Sequence, residues 1–404
     1  MTKPMPRPDP RLVLFLPGHS EGESELSFAR SFADQIPWEG CRVVAVTGNP
    51  DYRARWGEDA VHVPREFRRR LPIVHESRWL VMRAMAEGLL DEADVVVSTS
   101  WYRALMTWIV GTDETVRHRG YRGARIRPIV YLCPQVNDQW EREIPNNNSW
   151  WRGHRYPDDL WWMTMASWPN LHSVHPGAWD ADEALRKLRR LSPNPPLERA
   201  HVWERWEYGG PVAAPRREAK VVWASRLSPL KDPALAAQIG HLLLGLGRSF
   251  EAYAVSARTN SHDVPKLTVG LPQEVFWEKA SGAMVHLLTS HREAGVLVLW
   301  ELAERGVVPV VRDRPWARRA LPDWPLLFRT AGEAVVLCEK VLDHYDYWRQ
   351  RLEEMLRLHY RPGAVNGAQV WEAIWREWVT WSYQFDVTTK TEQPKGVQQA
   401  VRQL

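Results

Sequence analysis

Cysteine is scarce in this chain. Cys41, Cys133 and Cys338 are the only three in 404 residues. Their spacing supports neither a disulfide framework nor a metal cluster, so each reads as a buried thiol and the expectation is no bound metal. Long apolar runs are missing too: no stretch approaches the roughly 18 consecutive apolar residues that a membrane-spanning helix requires. The opening MTKPMPRPDP is polar and proline-rich where a secretory signal would be apolar, which gives a cytoplasmic expectation. Nor is there a strong excess of one charge, the net value being +4. What remains is an ordinary globular composition, with 44% hydrophobic and 25% charged residues. At 404 residues the chain exceeds the size at which one core keeps growing, so two domains are expected.

Two features stand out against this background. Basic residues are mostly arginine and gather in runs: REFRRR at 65–70, RHRGYRGARIR at 117–127 and RDRPWARR at 312–319. Planar guanidinium groups suit phosphate, although any one run also reads as a solvated surface. Tryptophan is the second feature, with 24 residues, some in the pairs Trp150–Trp151 and Trp161–Trp162. Such rings fill cores, stack on sugars or stack on bases, and composition does not choose among these.

The first half carries apolar runs of strand length, RLVLFLPG, CRVVAVTGN, DVVVSTS and RPIVYLCP. Between RLVLFLPG and CRVVAVTGN, Leu26, Ala29, Phe32 and Ala33 recur at helical spacing. Continuous rather than alternating apolar strands indicate a parallel sheet covered on both faces, hence a doubly wound α/β domain. A Trp-, Asn- and Pro-rich insertion occupies about 135–170, and a turn-rich connection follows LRKLRRL. The grammar then restarts with KVVWASRLS, DPALAAQIGHLLLGLG, FEAYAVS and AMVHLLTS. The expected division is an N-terminal Rossmann-like domain over 1–205, a second over 206–345, C-terminal helices over 346–385 packing back across the two, and a polar tail over 386–404. Ligands of open α/β sheets bind at the carboxyl ends of the strands, so a site between the halves is expected. Trp371, Ile374, Trp375 and Trp378 share one helical face and read as packing.

In SHREAGVLVLWELAERGVVPVV, residues 290–311, Glu293 and Glu301 bracket an almost wholly apolar segment. A helix starting near Glu293 would offer unpaired N–H groups to a phosphate, and Glu301 would lie roughly 80° around its axis, within reach of a ribose. A helix cap plus a surface acid is the plainer alternative. In ASRLSPLKDP, residues 224–233, Arg226 and Lys231 flank a turn after a strand, where two cations would neutralise a diphosphate.

Together these segments resemble the nucleotide-sugar half of retaining GT-B glycosyltransferases, the large family of bacterial mannosyl- and glucosyltransferases and sucrose synthase. Its pattern, G-R-L-x-x-x-K-G and then S-x-x-E-G-F-G-L-x-x-x-E-A-M-A-x-G-x-P-V-V, corresponds to SRLSPLKD and SHREAGVLVLWELAERGVVPVV. The resemblance is close over about 220–312 and extends to the organisation of the whole chain. It implies two Rossmann-like domains facing each other across a cleft, and a metal-independent transfer from a nucleotide sugar such as a UDP- or GDP-sugar, with no other cofactor. Arg226 and Lys231 match the diphosphate-binding pair, Glu293 the acid beside the donor sugar, Ala294 and Gly295 the backbone near sugar and phosphate, and Glu301 the ribose-binding acid. Gly18, in PGHSEGESEL, matches the glycine-rich loop beneath the donor phosphates, with Gly22 a further candidate.

This chain departs from that pattern at several positions. Ser225 and Asp232 stand where the family has glycine, and E-G-F-G has become EAGV. Cys133 stands where the family carries a histidine, with Gln135 and Asn137 as candidate substitutes, while His154, His172 and His175 read mainly as structural. The acceptor is expected in the first half, where Arg119, Arg122 and Arg125 lie near Trp150 and Trp151. Cations interleaved with π-faces suit nucleic acid, so a hydroxymethylated pyrimidine in DNA, as modified by bacteriophage enzymes in the host cytoplasm, is the favoured acceptor. A lipid or polysaccharide acceptor is the alternative, with DADEALRKLRRL a poor membrane helix. A non-catalytic GT-B fold that binds nucleic acid or sugar is a third reading.

Overall fold

The computed structural model describes residues 9–17, 29–47, 60–62, 73–112, 127–132, 159–203, 208–213, 216–257, 263–293, 296–360 and 366–388. The first half contributes strands β1 (Leu12–Leu16), β2 (Arg42–Thr47), β3 (Ala60–His62), β4 (Val95–Ser98), β5 (Ile129–Leu132), β6 (Leu171–His175) and β7 (Ala200–Val202). Its helices are α1 (Ile73–Ala86), α2 (Leu89–Glu92), α3 (Trp101–Thr112), α4 (Asp159–Ser167) and α5 (Ala178–Leu191). Every pairing is parallel, in the order β3-β2-β1-β4-β5-β6-β7.

All five residues of β1 are buried, as a strand covered on both faces requires. Its alternation sends Val13 and Phe15 into one core and Leu12, Leu14 and Leu16 into another, the latter with Leu80, Val81 and Ala84 of α1. β7 lies inside the stretch that reads in sequence as connection only. With three half-buried residues it is too short for any periodicity to show.

The second half repeats the plan with β8 (Glu218–Leu227), β9 (Ser249–Ala257), β10 (Leu267–Val269), β11 (Ala283–Leu288), β12 (Val308–Arg312) and β13 (Leu327–Phe328). Its helices are α6 (Pro233–Gly245), α7 (Gln273–Ser281), α8 (Leu297–Glu304), α9 (Pro315–Ala320), α10 (Ala331–Asp343) and α11 (Tyr345–His359). The order β10-β9-β8-β11-β12-β13 is again wholly parallel. In both sheets the strand order reverses beside the first strand, between β1 and β4 and between β8 and β11. Those are the topological switch points at which doubly wound folds bind ligands.

The last helices tie the halves together. Trp348, Leu352, Met355 and Leu356 of α11 join the core of the second half. The next helix, α12 (Gly367–Thr388), packs on the first half. There Trp371 stacks on Phe32 with ring centroids 4.3 Å apart, and its indole N–H donates to the Phe32 carbonyl at 2.9 Å. Trp371, Ile374 and Trp378 are buried, so the aromatic stripe packs.

Candidate functional site

The site grows from the two strand ends at the second switch point. β8 is buried from Lys220 to Ala224 and then emerges, leaving Ser225 and Arg226 half-buried. Ser228 is extended, and Pro229–Lys231 form one turn of 3₁₀ helix, with proline at its favoured first position. Asp232 follows with φ 46° and ψ 64°. A residue before proline is pushed out of the right-handed helical region, and aspartate is among the few side chains that tolerate the left-handed one. Its carboxylate caps α6 by accepting from Leu235 N at 3.1 Å. It also accepts from Arg312 Nη1 at 2.7 Å and His291 Nε2 at 3.0 Å. Burial would raise its pKa, but the bonds from His291 and Leu235 N–H and the Arg312 charge hold it below the usual carboxylate value.

The segment after β11 is stitched to this turn. The Thr289 hydroxyl receives Trp223 Nε1–H at 3.0 Å and donates to the Lys231 carbonyl at 2.6 Å. His291 N–H donates to the Leu230 carbonyl at 2.9 Å. Ser290 Oγ donates to Glu293 Oε1 at 2.6 Å, and the same oxygen is paired with Lys231 Nζ. Lys231 and Glu293, far apart in sequence, are therefore one buried ion pair at the switch point. Desolvation lowers the Lys231 pKa, Glu293 opposes that and the nearby Arg226 charge adds to it. Arg226 itself has no ion-pair partner among the described residues.

Three members of this constellation, His291, Arg312 and Arg314, were not singled out from sequence. Arg312 Nη1 reaches the Thr289 carbonyl at 3.3 Å as well as Asp232, and Arg314 Nη2 lies 3.3 Å from His291 Nδ1. With Nδ1 accepting from Arg314, Nε2 carries the hydrogen that Asp232 receives. The signal was the run RDRPWARR, which read as one cluster. The fold divides it: Arg318 pairs with Asp313 at 2.6 Å and Arg319 with Asp182 at 3.5 Å. Among the described residues two ion pairs, Lys231–Glu293 and Arg312–Asp232, leave Arg226 and Arg314 as the positive surplus of the site.

Glu301 stands apart from this pair. The expectation of a helix starting near Glu293 differs from the structure, in which α8 begins at Leu297 after Val296, whose φ is 35° and ψ 44°. Glu301 is thus in the second turn of α8, half-buried, and its carbonyl accepts from Arg305 Nη1 at 2.6 Å. The apolar segment between the two acids is explained by packing: Leu299, Trp300, Leu302 and Ala303 are all buried.

The neighbouring Arg292 points the other way. Its guanidinium pairs with Glu183 of α5, and both side chains are buried. The segment that holds Glu293 is thereby joined to the first half, and α9 packs on α5 alongside. DADEALRKLRRL is consequently a helix between the halves, with Ala181, Ala184 and Leu188 buried.

Gly18, Gly22, Ala294, Gly295, Arg119, Arg122, Arg125, Cys133, Gln135, Asn137, Trp150, Trp151 and His154 lie outside the described residues. The flanks of their segments are described and serve packing. Arg127 donates to the Ala93 carbonyl at 2.7 Å and also to the Leu90 carbonyl. Trp161 and Trp162 are fully buried, Trp161 edge-on to Tyr131 and Trp162 stacked near His175. His172 and His175 are likewise buried.

A scan against protein-family models finds no match, and a search of curated proteins finds none. Solved structures do share the architecture. HepE of Anabaena, in complex with UDP and glucose, aligns over 94% of this chain and 100% of its own at 11% identity and a TM-score of 0.58. Sucrose-phosphate synthase of Thermosynechococcus elongatus aligns over 93% and 100% at 14% identity and a TM-score of 0.59. The lipopolysaccharide outer core galactosyltransferase WaaB, in its apo form, aligns over 92% and 99% at 10% identity and a TM-score of 0.52. With two parallel sheets of the same strand order, the fold is that of the GT-B class.

Proposed function

We propose that this protein is a retaining glycosyltransferase that moves a sugar from a nucleoside diphosphate donor, UDP- or GDP-linked, to an acceptor hydroxyl. The observation that carries the reading is the convergence of Arg226, Lys231 and Glu293 on the β8–β11 switch point. The fold is shared with a protein that binds UDP and glucose, and the family motif runs through the same residues. In this reading the second half, 206–345, holds the donor and the first half, 1–205, reads the acceptor.

When the sugar leaves, negative charge develops on the diphosphate. Preorganised cations that meet this charge favour the transition state over the ground state. Arg226 supplies a guanidinium that pairs with no acid among the described residues, and Lys231 supplies an ammonium held by a carboxylate that a phosphate oxygen can replace. Glu293, released from Lys231 by that exchange, accepts hydrogen bonds from donor-sugar hydroxyls. Glu301 is assigned to the ribose, and Gly18, Ala294 and Gly295 to close backbone approach around phosphates and sugar. Retention places acceptor attack on the face of the sugar from which the diphosphate departs.

The acceptor we infer is a hydroxymethylated pyrimidine in DNA, reached through Arg119, Arg122, Arg125, Trp150 and Trp151, which combine phosphate neutralisation with base stacking. A screen tests donor and acceptor together. Purified protein is incubated with UDP-, GDP- and ADP-sugars and with duplex DNA with or without 5-hydroxymethylpyrimidines, then the DNA is digested and weighed by mass spectrometry. A sugar mass on the modified base is the expected result. Nucleotide release without DNA modification moves the acceptor to lipid or glycan, and no release from any donor overturns the enzymatic reading.

A further inference from the structure

A second polar cluster lies far from the donor residues in sequence, on the first sheet beneath α12. His172, at the second position of β6, shares a face with Val174, which α12 covers. His201 is the central residue of β7 and stands opposite Val174 in the ladder. Glu377 follows Ile374 of α12 by three residues, which places it on the sheet-facing side of that helix.

The three side chains meet closely. His172 Nδ1 is 3.2 Å from His201 Nε2 and 3.5 Å from Glu377 Oε2. One ligand atom from each of the three residues lies within 4.8 Å of the others. Four ligands about 2.0 Å from zinc in a tetrahedron are about 3.3 Å from one another, so the two short separations match two tetrahedral edges. Glu377 Oε2 is buried and makes no hydrogen bond, although an unpaired carboxylate oxygen is costly to bury. Part of the Glu377 side chain, 30%, is exposed, leaving a route of entry and room for a water as fourth ligand.

We propose that His172, His201 and Glu377 form a zinc site that staples α12 to β6 and β7. Two imidazoles and one carboxylate are a ligand set zinc accepts. Its role is structural: the ligands come from two strands of the first sheet and from the helix that returns to it from the second half. The proposal does not depend on the donor chemistry.

The test uses the full chain, stripped with a chelator and titrated with zinc chloride by calorimetry, with cobalt substitution read in the visible spectrum. One zinc per chain, a rise in melting temperature on zinc addition and tetrahedral cobalt bands are expected. Because His172 is wholly buried and its loss endangers folding, the variants are Glu377→Ala and His201→Ala. Each is checked by circular dichroism and expected to lower zinc affinity at least tenfold. Absence of saturable zinc uptake by the wild-type chain, or wild-type zinc affinity in folded Glu377→Ala, would overturn the site.

Discussion

Arg312 donates to the Asp232 carboxylate at 2.7 Å while the Asp232 backbone stands at φ 46°. A side chain there costs about 1–2 kcal/mol relative to glycine, and the aspartate offsets that cost with a helix cap and hydrogen bonds from Arg312 and His291. Asp232→Ala keeps the strain and loses all three contacts, with an expected cost of about 2–4 kcal/mol. Asp232→Gly loses the contacts but relieves the strain, so it should be about 1 kcal/mol less destabilising than the alanine variant. Urea denaturation of the pair measures the difference, and equal midpoints would remove backbone strain from the account.

Removing the cations of the turn separates function from folding. Arg226 has no ion-pair partner among the described residues, so Arg226→Ala should leave stability near wild type. Donor turnover should fall at least about tenfold, roughly 1.4 kcal/mol of transition-state stabilisation. Lys231→Ala should lower turnover similarly but also leave buried Glu293 with Ser290 as its remaining partner in the pair, and so lower the melting temperature. Steady-state kinetics beside thermal unfolding resolves the two effects. Unchanged turnover in both variants would sink the diphosphate assignment.

The Glu183–Arg292 pair is buried and joins the two halves. Removing one partner of such a pair typically costs about 3–5 kcal/mol, because the other charge stays buried. Glu183→Ala and Arg292→Ala should each destabilise strongly, and the double variant by clearly less than their sum. A double-mutant cycle in denaturant measures the coupling, and additivity would mean that the pair is not formed in solution.

The glycine at position 240 tests the packing of the second half. A methyl group there would come within 2.6 Å of Phe250 Cε1 and 2.9 Å of Pro265 Cγ. Phe250 is fully buried and has little room to retreat. Gly240→Ala sits in a helix, where alanine is otherwise favoured by about 1 kcal/mol, yet overpacking costs about 1–3 kcal/mol. Net destabilisation in chemical denaturation is expected, whereas a more stable variant would show that Phe250 and Pro265 yield.

Much of the architecture was legible because parallel, doubly covered strands write continuous apolar runs: LVLFL and VVVS are buried along their whole length. β7 was not, since three residues carry no period. At the candidate site, the spacing of a known motif selected Arg226, Lys231 and Glu293, and the fold pairs the last two. The departures from that motif carry further information. Asp232 and Val296 both occupy positions where the pattern has glycine, and both keep positive φ, 46° and 35°. The backbone requirement behind the glycines persists after the residue has changed. His291, Arg312 and Arg314 escaped notice because their convergence depends on the β8, β11 and β12 ends lying side by side. The cluster under α12 escaped for the same reason, its members being separated by 29 residues in one case and placed on different strands and a helix in the other.

Two buried histidines predict how the protein responds to acid. His175 and His286 are fully buried, and burial pushes each pKa down to about 3 from the ordinary 6.5. Below pH 6.5 the unfolded chain binds a proton at each position that the native state refuses, so stability falls as pH falls. The loss runs from about pH 6.5 down to the folded value near 3 and is absent above pH 7. Each site contributes about 1.4 kcal/mol per pH unit within that window, so the two together remove about 4 kcal/mol by pH 5. That is a large part of the roughly 5–15 kcal/mol by which domains are stable, and it precedes the protonation of ordinary carboxylates. Denaturant unfolding at pH 7, 6 and 5 should show the decline, and His286→Leu should make its slope shallower. A free energy of unfolding that stays level from pH 7 to 5 would mean that these imidazoles are protonated in the folded state.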